Sequence, residues 1–132
     1  MRLLIGLVIG FVLGGFVGVT AFKALRASTE LPRGVMQTTA YHFGELREAA
    51  KASDCLGQAE PHLQALALLA DDVHPSFAEL LPDDEIFNGY AAKLVTATRN
   101  ARDNPGVDCK ALNEAIAPIR DACQACHRDY KS

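Results

Sequence analysis

The chain has 132 residues, of which 49% are hydrophobic and 22% are charged, and a formal net charge of −3. This length suits one domain, and the composition excludes a wholly disordered chain. Residues 1–27 contain three of the 13 basic residues and none of the 16 acidic ones, so the remaining chain carries a formal charge of −6. We expect no nucleic-acid binding from such an acidic domain, whereas a basic surface on a partner protein would suit it.

Residues 3–22 form an uncharged stretch, LLIGLVIGFVLGGFVGVTAF. At about 1.5 Å per residue, a helix of this length spans roughly 30 Å, the thickness of the hydrocarbon core of a bilayer. A cleaved secretory signal is the alternative, but the stretch is longer than a usual h-region and no A-x-A site follows it. We therefore predict a membrane anchor over residues 1–27, with a transmembrane helix at 3–22, and a single domain over 28–132.

The glycines of the anchor recur every fourth residue: Gly6, Gly10, Gly14 and Gly18. This spacing places them on one helix face, where a second helix can approach closely. It is compatible with a homodimer, although glycine is also common in membrane helices.

Four helices with apolar residues at intervals of three and four follow the anchor. Their predicted faces are Met36, Ala40, Phe43, Leu46 and Ala50 in the first helix, Leu63, Leu66, Ala67, Ala70 and Val73 in the second, Phe87, Tyr90, Leu94, Thr98 and Ala101 in the third, and Leu112, Ile116, Ile119, Cys123, Cys126 and Tyr130 in the fourth. We expect the first helix to start at residues 29–32, Pro75 to interrupt the second, and Pro118 to kink or break the fourth. Residues 83–85 and Asp108 are predicted to cap the third and fourth helices. The predicted fold is all-α, an antiparallel up-down-up-down four-helix bundle with an N-terminal transmembrane helix.

Residues 123–127 read CQACH, a C-x-x-C-H sequence that is the attachment signal for c-type haem. Two thiols three positions apart can form thioethers to the vinyl groups at one haem edge, and the next imidazole can then ligate the iron. A thioredoxin-type redox pair would need a βαβ surround, and a zinc site would need a further Cys/His pair. A disulfide between Cys123 and Cys126 would leave His127 unexplained. We therefore predict one covalent haem c, held by Cys123 and Cys126, with His127 as the proximal iron ligand.

A C-x-x-C-H on the fourth helix of a bundle, close to the C-terminus, resembles the class II cytochromes c, the cytochrome c prime family. The resemblance covers about residues 30–132 and includes VM at 35–36, HFG at 42–44, DEIF at 84–87 and the segment 123–130. It implies that Met36 faces the side of the haem opposite His127, and the bundle topology brings the same two helix ends together. The chain departs from the family at Pro32, where an Arg often stands, and at Phe87, where the family often has Trp.

The resemblance places the haem domain in the periplasm, because c-type haem is attached outside the cytoplasmic membrane, with residues 3–22 as a single-pass tether. The leading interpretation is a non-enzymatic electron carrier with His127 and Met36 as iron ligands and with redox partner proteins in or at the membrane. In the alternative, Met36 only fills the pocket beside a five-coordinate iron that binds nitric oxide or another small gas. A structural or assembly subunit is a third interpretation, supported by the glycine spacing alone.

Cys55 and Cys109 are not used by the haem motif. In an up-down-up-down bundle they lie at the same end, opposite the haem, and we predict that they form a disulfide in the oxidising periplasm. Two free thiols, or pairing between two chains, are the alternatives. Among the remaining polar residues, we expect His42 at the surface or at the edge of the core, His62 in solvent or in the core, and Tyr130 near the haem with its hydroxyl in water.

Overall fold

The computed structural model describes the backbone of residues 2–130 and their side chains, except those of residues 2–5, 7–9 and 23–29. This part of the chain forms four helices: α1 (Arg2–Ala49), α2 (Cys55–Phe77), α3 (Glu85–Asp103) and α4 (Cys109–Tyr130). None of the described residues lies in a β-strand. The predicted all-α class is confirmed, and the helices are arranged as a helical bundle.

One apolar core joins the four helices, and each helix packs against the next one in the chain. Its fully enclosed large side chains are Leu46 of α1, Leu66 of α2, Thr98 of α3, and Leu112 and Ile119 of α4. Each buried Leu or Ile side chain contributes about 1.5–3 kcal/mol to folding, so these stripes determine how the helices pack. The predicted faces of α2, α3 and α4 lie against this core.

The predicted face of α1 is wrong at one position, because Ala40 is exposed. Thr39 is buried in its place, and its hydroxyl donates a hydrogen bond to the carbonyl of Val35 at 2.8 Å. The spacing of apolar residues alone does not indicate Thr39, because a threonine whose hydroxyl is satisfied by its own helix can occupy a core position.

The predicted helix start at residues 29–32 is also wrong, because α1 is one continuous helix of 48 residues with Pro32 inside it. Pro75 and Pro118 likewise lie within α2 and α4, and neither helix is interrupted there. A proline removes one backbone hydrogen bond and crowds the preceding turn. In α4 the buried side chains of Leu112 and Ile116 precede Pro118 and that of Ile119 follows it, so packing on both sides holds this helix together across the lost bond.

No helix among the described residues has the length and apolar character needed to cross a membrane, so the structure does not support the predicted transmembrane helix at 3–22. The side chains of residues 3–5 and 7–9 in that stretch lie outside the described part of the chain. Those described between residues 10 and 22 are all exposed, including Phe11 at 81% and Phe16 at 70%.

The predicted caps are present at the start of α3 and α4. The Asp84 carboxylate accepts a hydrogen bond from the Phe87 amide at 2.9 Å, and Asp108 accepts one from the Ala111 amide at 2.8 Å. A side-chain acceptor at this position satisfies an amide that has no partner within the helix.

The predicted disulfide between Cys55 and Cys109 is confirmed. Their Cα atoms are 5.7 Å apart, and the bond joins the first residue of α2 to the first residue of α4. It leaves Cys123 and Cys126 as the free thiols of the described residues.

Candidate functional site

The two thiols of the C-x-x-C-H sequence lie on the core-facing side of α4. Cys123 and Cys126 are half-buried and pack against the same apolar cluster as Ile116 and Ile119, which precede them along α4. Burial raises the pKa of the Cys123 thiol, and the neighbouring Cys126 adds to that increase. Burial also raises the pKa of the Cys126 thiol, and Asp129 adds to it. Both groups are therefore neutral thiols at neutral pH.

His127 and Met36, the two predicted iron ligands, differ in their surroundings. Met36 is half-buried on α1 and packs against the core cluster that the two thiols also contact. His127 lies in the last turn of α4 with its side chain exposed, and it is not a member of that cluster. Met36, Cys123 and Cys126 thus all pack against the core cluster, and the His127 imidazole does not.

A hydrogen-bonded pair of residues holds the last turn of α4 against the start of α3. The Tyr130 hydroxyl donates to the Asp84 carboxylate, with both oxygens at 2.9 Å, while Asp84 also caps α3. The rings of Phe87 and Tyr130 meet edge to face with centroids 5.4 Å apart. The Tyr130 hydroxyl was predicted to lie in water, and it instead donates a hydrogen bond to the N-cap carboxylate of Asp84, 46 positions away in sequence.

The electrostatics of this pair favour a charged carboxylate and a neutral phenol. The Phe87 amide, followed by the Tyr130 hydroxyl, lowers the pKa of Asp84. Burial and the hydrogen bond to Asp84 raise the pKa of Tyr130 to about 12. A second hydrogen bond between a tyrosine and an aspartate joins the same two helices in the opposite direction. The Tyr90 hydroxyl of α3 donates to the carboxylate of Asp129 of α4 at 2.6 Å.

The histidines outside the motif are also placed by the structure. His42 and His62 are half-buried, as residues at the edge of the core, and their Nδ1 atoms lie 3.0 Å apart. His74 is exposed. Sequence reasoning missed the contact between His42 and His62, since nothing local in either helix indicates which residue of the neighbouring helix it will meet.

The residues of the C-x-x-C-H sequence fit a covalently bound haem by the chemistry of their donor atoms. Two thiols one helical turn apart are free, although the other two cysteines of the described chain form a disulfide. No group of three or more His, Cys, Asp and Glu side chains in the described part of the chain is arranged to hold a metal ion. A haem iron takes most of its ligands from the porphyrin, so it needs only an imidazole and at most one further protein ligand.

Comparisons of the chain with models of protein families, with curated proteins and with solved structures found no match.

Proposed function

We propose that this chain is a class II c-type cytochrome, whose helical bundle carries one haem c attached through Cys123 and Cys126 and transfers single electrons. The observation that carries the proposal is a pair of free, half-buried thiols one turn apart on a core-facing helix side, followed at once by an exposed imidazole. That set of groups is the one that covalent haem attachment requires.

Each residue has a definite task in this proposal. Cys123 and Cys126 would form the two thioethers, at half-buried positions beside the apolar core. The His127 imidazole and the Met36 thioether would ligate the iron. When bound, the haem supplies a one-electron couple, and a thioether ligand favours the reduced iron.

The up-down-up-down order of the helices belongs to this proposal, because it brings Met36 to the thiols. Met36 lies 13 residues before the end of α1 at Ala49, and Cys123 lies 14 residues after the start of α4 at Cys109. At about 1.5 Å per residue, each is therefore about 20 Å from the disulfide end of the bundle. The hydrogen bond from Tyr130 to Asp84 supports the same order, since it joins the end of α4 to the start of α3.

We further propose that the bundle lies in the periplasm, tethered to the cytoplasmic membrane by one pass of residues 3–22. The uncharged sequence of this stretch supports the tether, and the disulfide supports an oxidising compartment. A tethered carrier meets membrane-bound redox partners at a raised effective concentration. The acidic bundle would dock on basic surfaces of such partners.

The attachment is tested by producing the chain in a host that matures c-type cytochromes. Wild-type protein should retain haem after acid–acetone extraction, and the double variant C123A/C126A should lose it. The matched control C55A/C109A removes two cysteines from the disulfide and should keep the covalent haem. Covalent haem in C123A/C126A, or none in wild type, would overturn the proposal.

Absorption spectra of oxidised and reduced protein test the role of Met36. Low-spin bands with a methionine charge-transfer feature should be present in wild type and absent in Met36→Ala. Val35→Ala is the matched control, because Val35 is the half-buried neighbour of Met36 in the same core region. A high-spin spectrum that Met36→Ala leaves unchanged would contradict electron transfer and support the alternative, binding of nitric oxide or another small gas.

A further inference from the structure

Two histidines face each other across the interface between α1 and α2. The Nδ1 atoms of His42 and His62 are 3.0 Å apart, and the ring centroids are 5.3 Å apart. The Tyr41 ring packs edge to face on His42 with centroids 5.1 Å apart, which limits the orientations open to the His42 ring. Both histidines are half-buried, so their rings are held by packing and remain open to solvent on one side.

At this distance one Nδ1 donates its proton in a hydrogen bond, and the other Nδ1 must be unprotonated to accept it. The donating ring can move this proton to its own Nε2 atom, so that the ring stays neutral and gains a lone pair on Nδ1. A metal ion between the two Nδ1 atoms can then accept one lone pair from each ring. Neutral imidazole nitrogen is the commonest protein ligand for transition metals.

We infer that His42 and His62 form a binding site for a divalent transition-metal ion, with Cu²⁺ preferred, in which the ion replaces the proton between the two Nδ1 atoms. The site joins α1 to α2, and its two histidines are 20 positions apart in the sequence. It is independent of the haem proposal, because it uses no residue of the C-x-x-C-H sequence.

The distance between the two nitrogens favours one class of ion. With metal–nitrogen bonds of about 2.0–2.1 Å, two nitrogens 3.0 Å apart subtend about 91–97° at the metal. A tetrahedral site would need the nitrogens about 3.3–3.4 Å apart. An angle near 90° suits the square-planar and tetragonal geometries of Cu²⁺ and Ni²⁺, and the general affinity order of divalent ions also places Cu²⁺ first.

The rest of the coordination shell comes from solvent. The described residues offer no third His, Cys, Asp or Glu to complete a group around the pair. Water can reach the ion, since both rings are only half-buried. An ion that binds only the folded state stabilises that state by RT ln(1 + c/Kd), where c is the ion concentration, so the melting temperature should rise with the logarithm of c.

The test is a titration of the full chain with CuCl₂, NiCl₂ and ZnCl₂ after any free thiols have been alkylated, followed by thermal unfolding and calorimetry. Wild type should bind one Cu²⁺, with weaker binding of Ni²⁺ and Zn²⁺. His42→Gln and His62→Gln should each weaken Cu²⁺ binding by about tenfold or more, because one of two protein ligands is lost. His74→Gln is the matched control and should bind as wild type does, since His74 is exposed on the same helix as His62.

Electron paramagnetic resonance of the Cu²⁺ complex of wild type tests the same ligands without a substitution. Hyperfine splitting from two equivalent nitrogens is expected, and far-UV circular dichroism shows whether each variant is folded. Unchanged Cu²⁺ affinity in folded His42→Gln or His62→Gln, an equal loss in His74→Gln, or a spectrum without two nitrogen donors would overturn the inference.

Discussion

Asp84 is the residue on which two parts of the molecule depend. Its carboxylate caps α3 through the Phe87 amide and accepts the Tyr130 hydroxyl from the end of α4. Tyr130 lies four positions after Cys126, so this bond fixes the helical turn that carries the second thiol. A short-range cap thereby also positions the candidate site.

Because Tyr130 is half-buried and hydrogen-bonded to Asp84, we expect the stability of the folded protein to fall at alkaline pH. The pKa of Tyr130 is raised to about 12 in the folded protein, mainly by burial and then by Asp84, whereas an unfolded tyrosine has a pKa of about 10. The contribution of Tyr130 is therefore fully present below about pH 10 and is lost as the pH rises from about 10 to 12. We expect Tyr130→Phe to lower the free energy of unfolding at pH 7 and to reduce the loss of stability over that alkaline range.

The measurement is urea unfolding at pH 7, 10 and 11.5 for wild type, Tyr130→Phe and Tyr41→Phe. Tyr41 is the matched control, because its side chain is exposed to 59% and it lies outside the contact between α3 and α4. An alkaline loss of stability in Tyr130→Phe as large as that in wild type would contradict the prediction.

The caps could be predicted from the sequence because an N-cap involves residues within one turn. Asp84 and Asp108 directly precede α3 and α4 in the sequence. Each carboxylate accepts a hydrogen bond from a backbone amide in the first turn of its helix. The contact between Tyr130 and Asp84 and the one between His42 and His62 could not be predicted, since they join residues 46 and 20 positions apart. Contacts of this kind depend on how two helices are rotated against each other.

At the scale of helices, the prolines show how packing can outweigh a local preference. Pro32, Pro75 and Pro118 were each expected to start, end or bend a helix, and all three lie inside helices. The loss of a backbone hydrogen bond acts at one position, whereas the buried stripe of α4 continues across Pro118 from Leu112 to Ile119. Element types and buried faces were therefore predictable, and helix boundaries near proline were not.

The disulfide between Cys55 and Cys109 is predicted to contribute about 4 kcal/mol to the free energy of unfolding, from the entropy of closing a loop of 54 positions in the unfolded chain. Urea unfolding of C55A/C109A, compared with wild type under non-reducing conditions, measures this contribution. Added dithiothreitol should lower the stability of wild type towards that of the double variant and should leave the variant itself unchanged. Equal stability of the two proteins without reductant would contradict the prediction.

At the scale of the whole molecule, the two ends of the bundle differ in chemistry. One end is closed by the covalent bond between the starts of α2 and α4. The other carries the free thiols and the hydrogen bond from Tyr130 to Asp84. A disulfide at one end leaves the opposite end free to be shaped by the haem that we propose the thiols hold.

The proposed tether makes a prediction for the complete chain, because α1 runs without interruption from the uncharged stretch into the bundle. Full-length protein should stay in the membrane fraction after washes with high salt and with alkaline carbonate, since insertion of a helix of this length is effectively irreversible. A variant that lacks residues 1–27 and is exported by a cleavable signal should be soluble in the periplasm.

V12R/F16R places two charges in the middle of the uncharged stretch, at a cost of about 2.5–3.5 kcal/mol each, and should also lose the anchor. K23A/R26A is the matched control, which changes two residues after the stretch and should remain in the membrane. Recovery of the wild type as a soluble protein, with an N-terminus beyond residue 22, would show that the stretch is a cleaved signal.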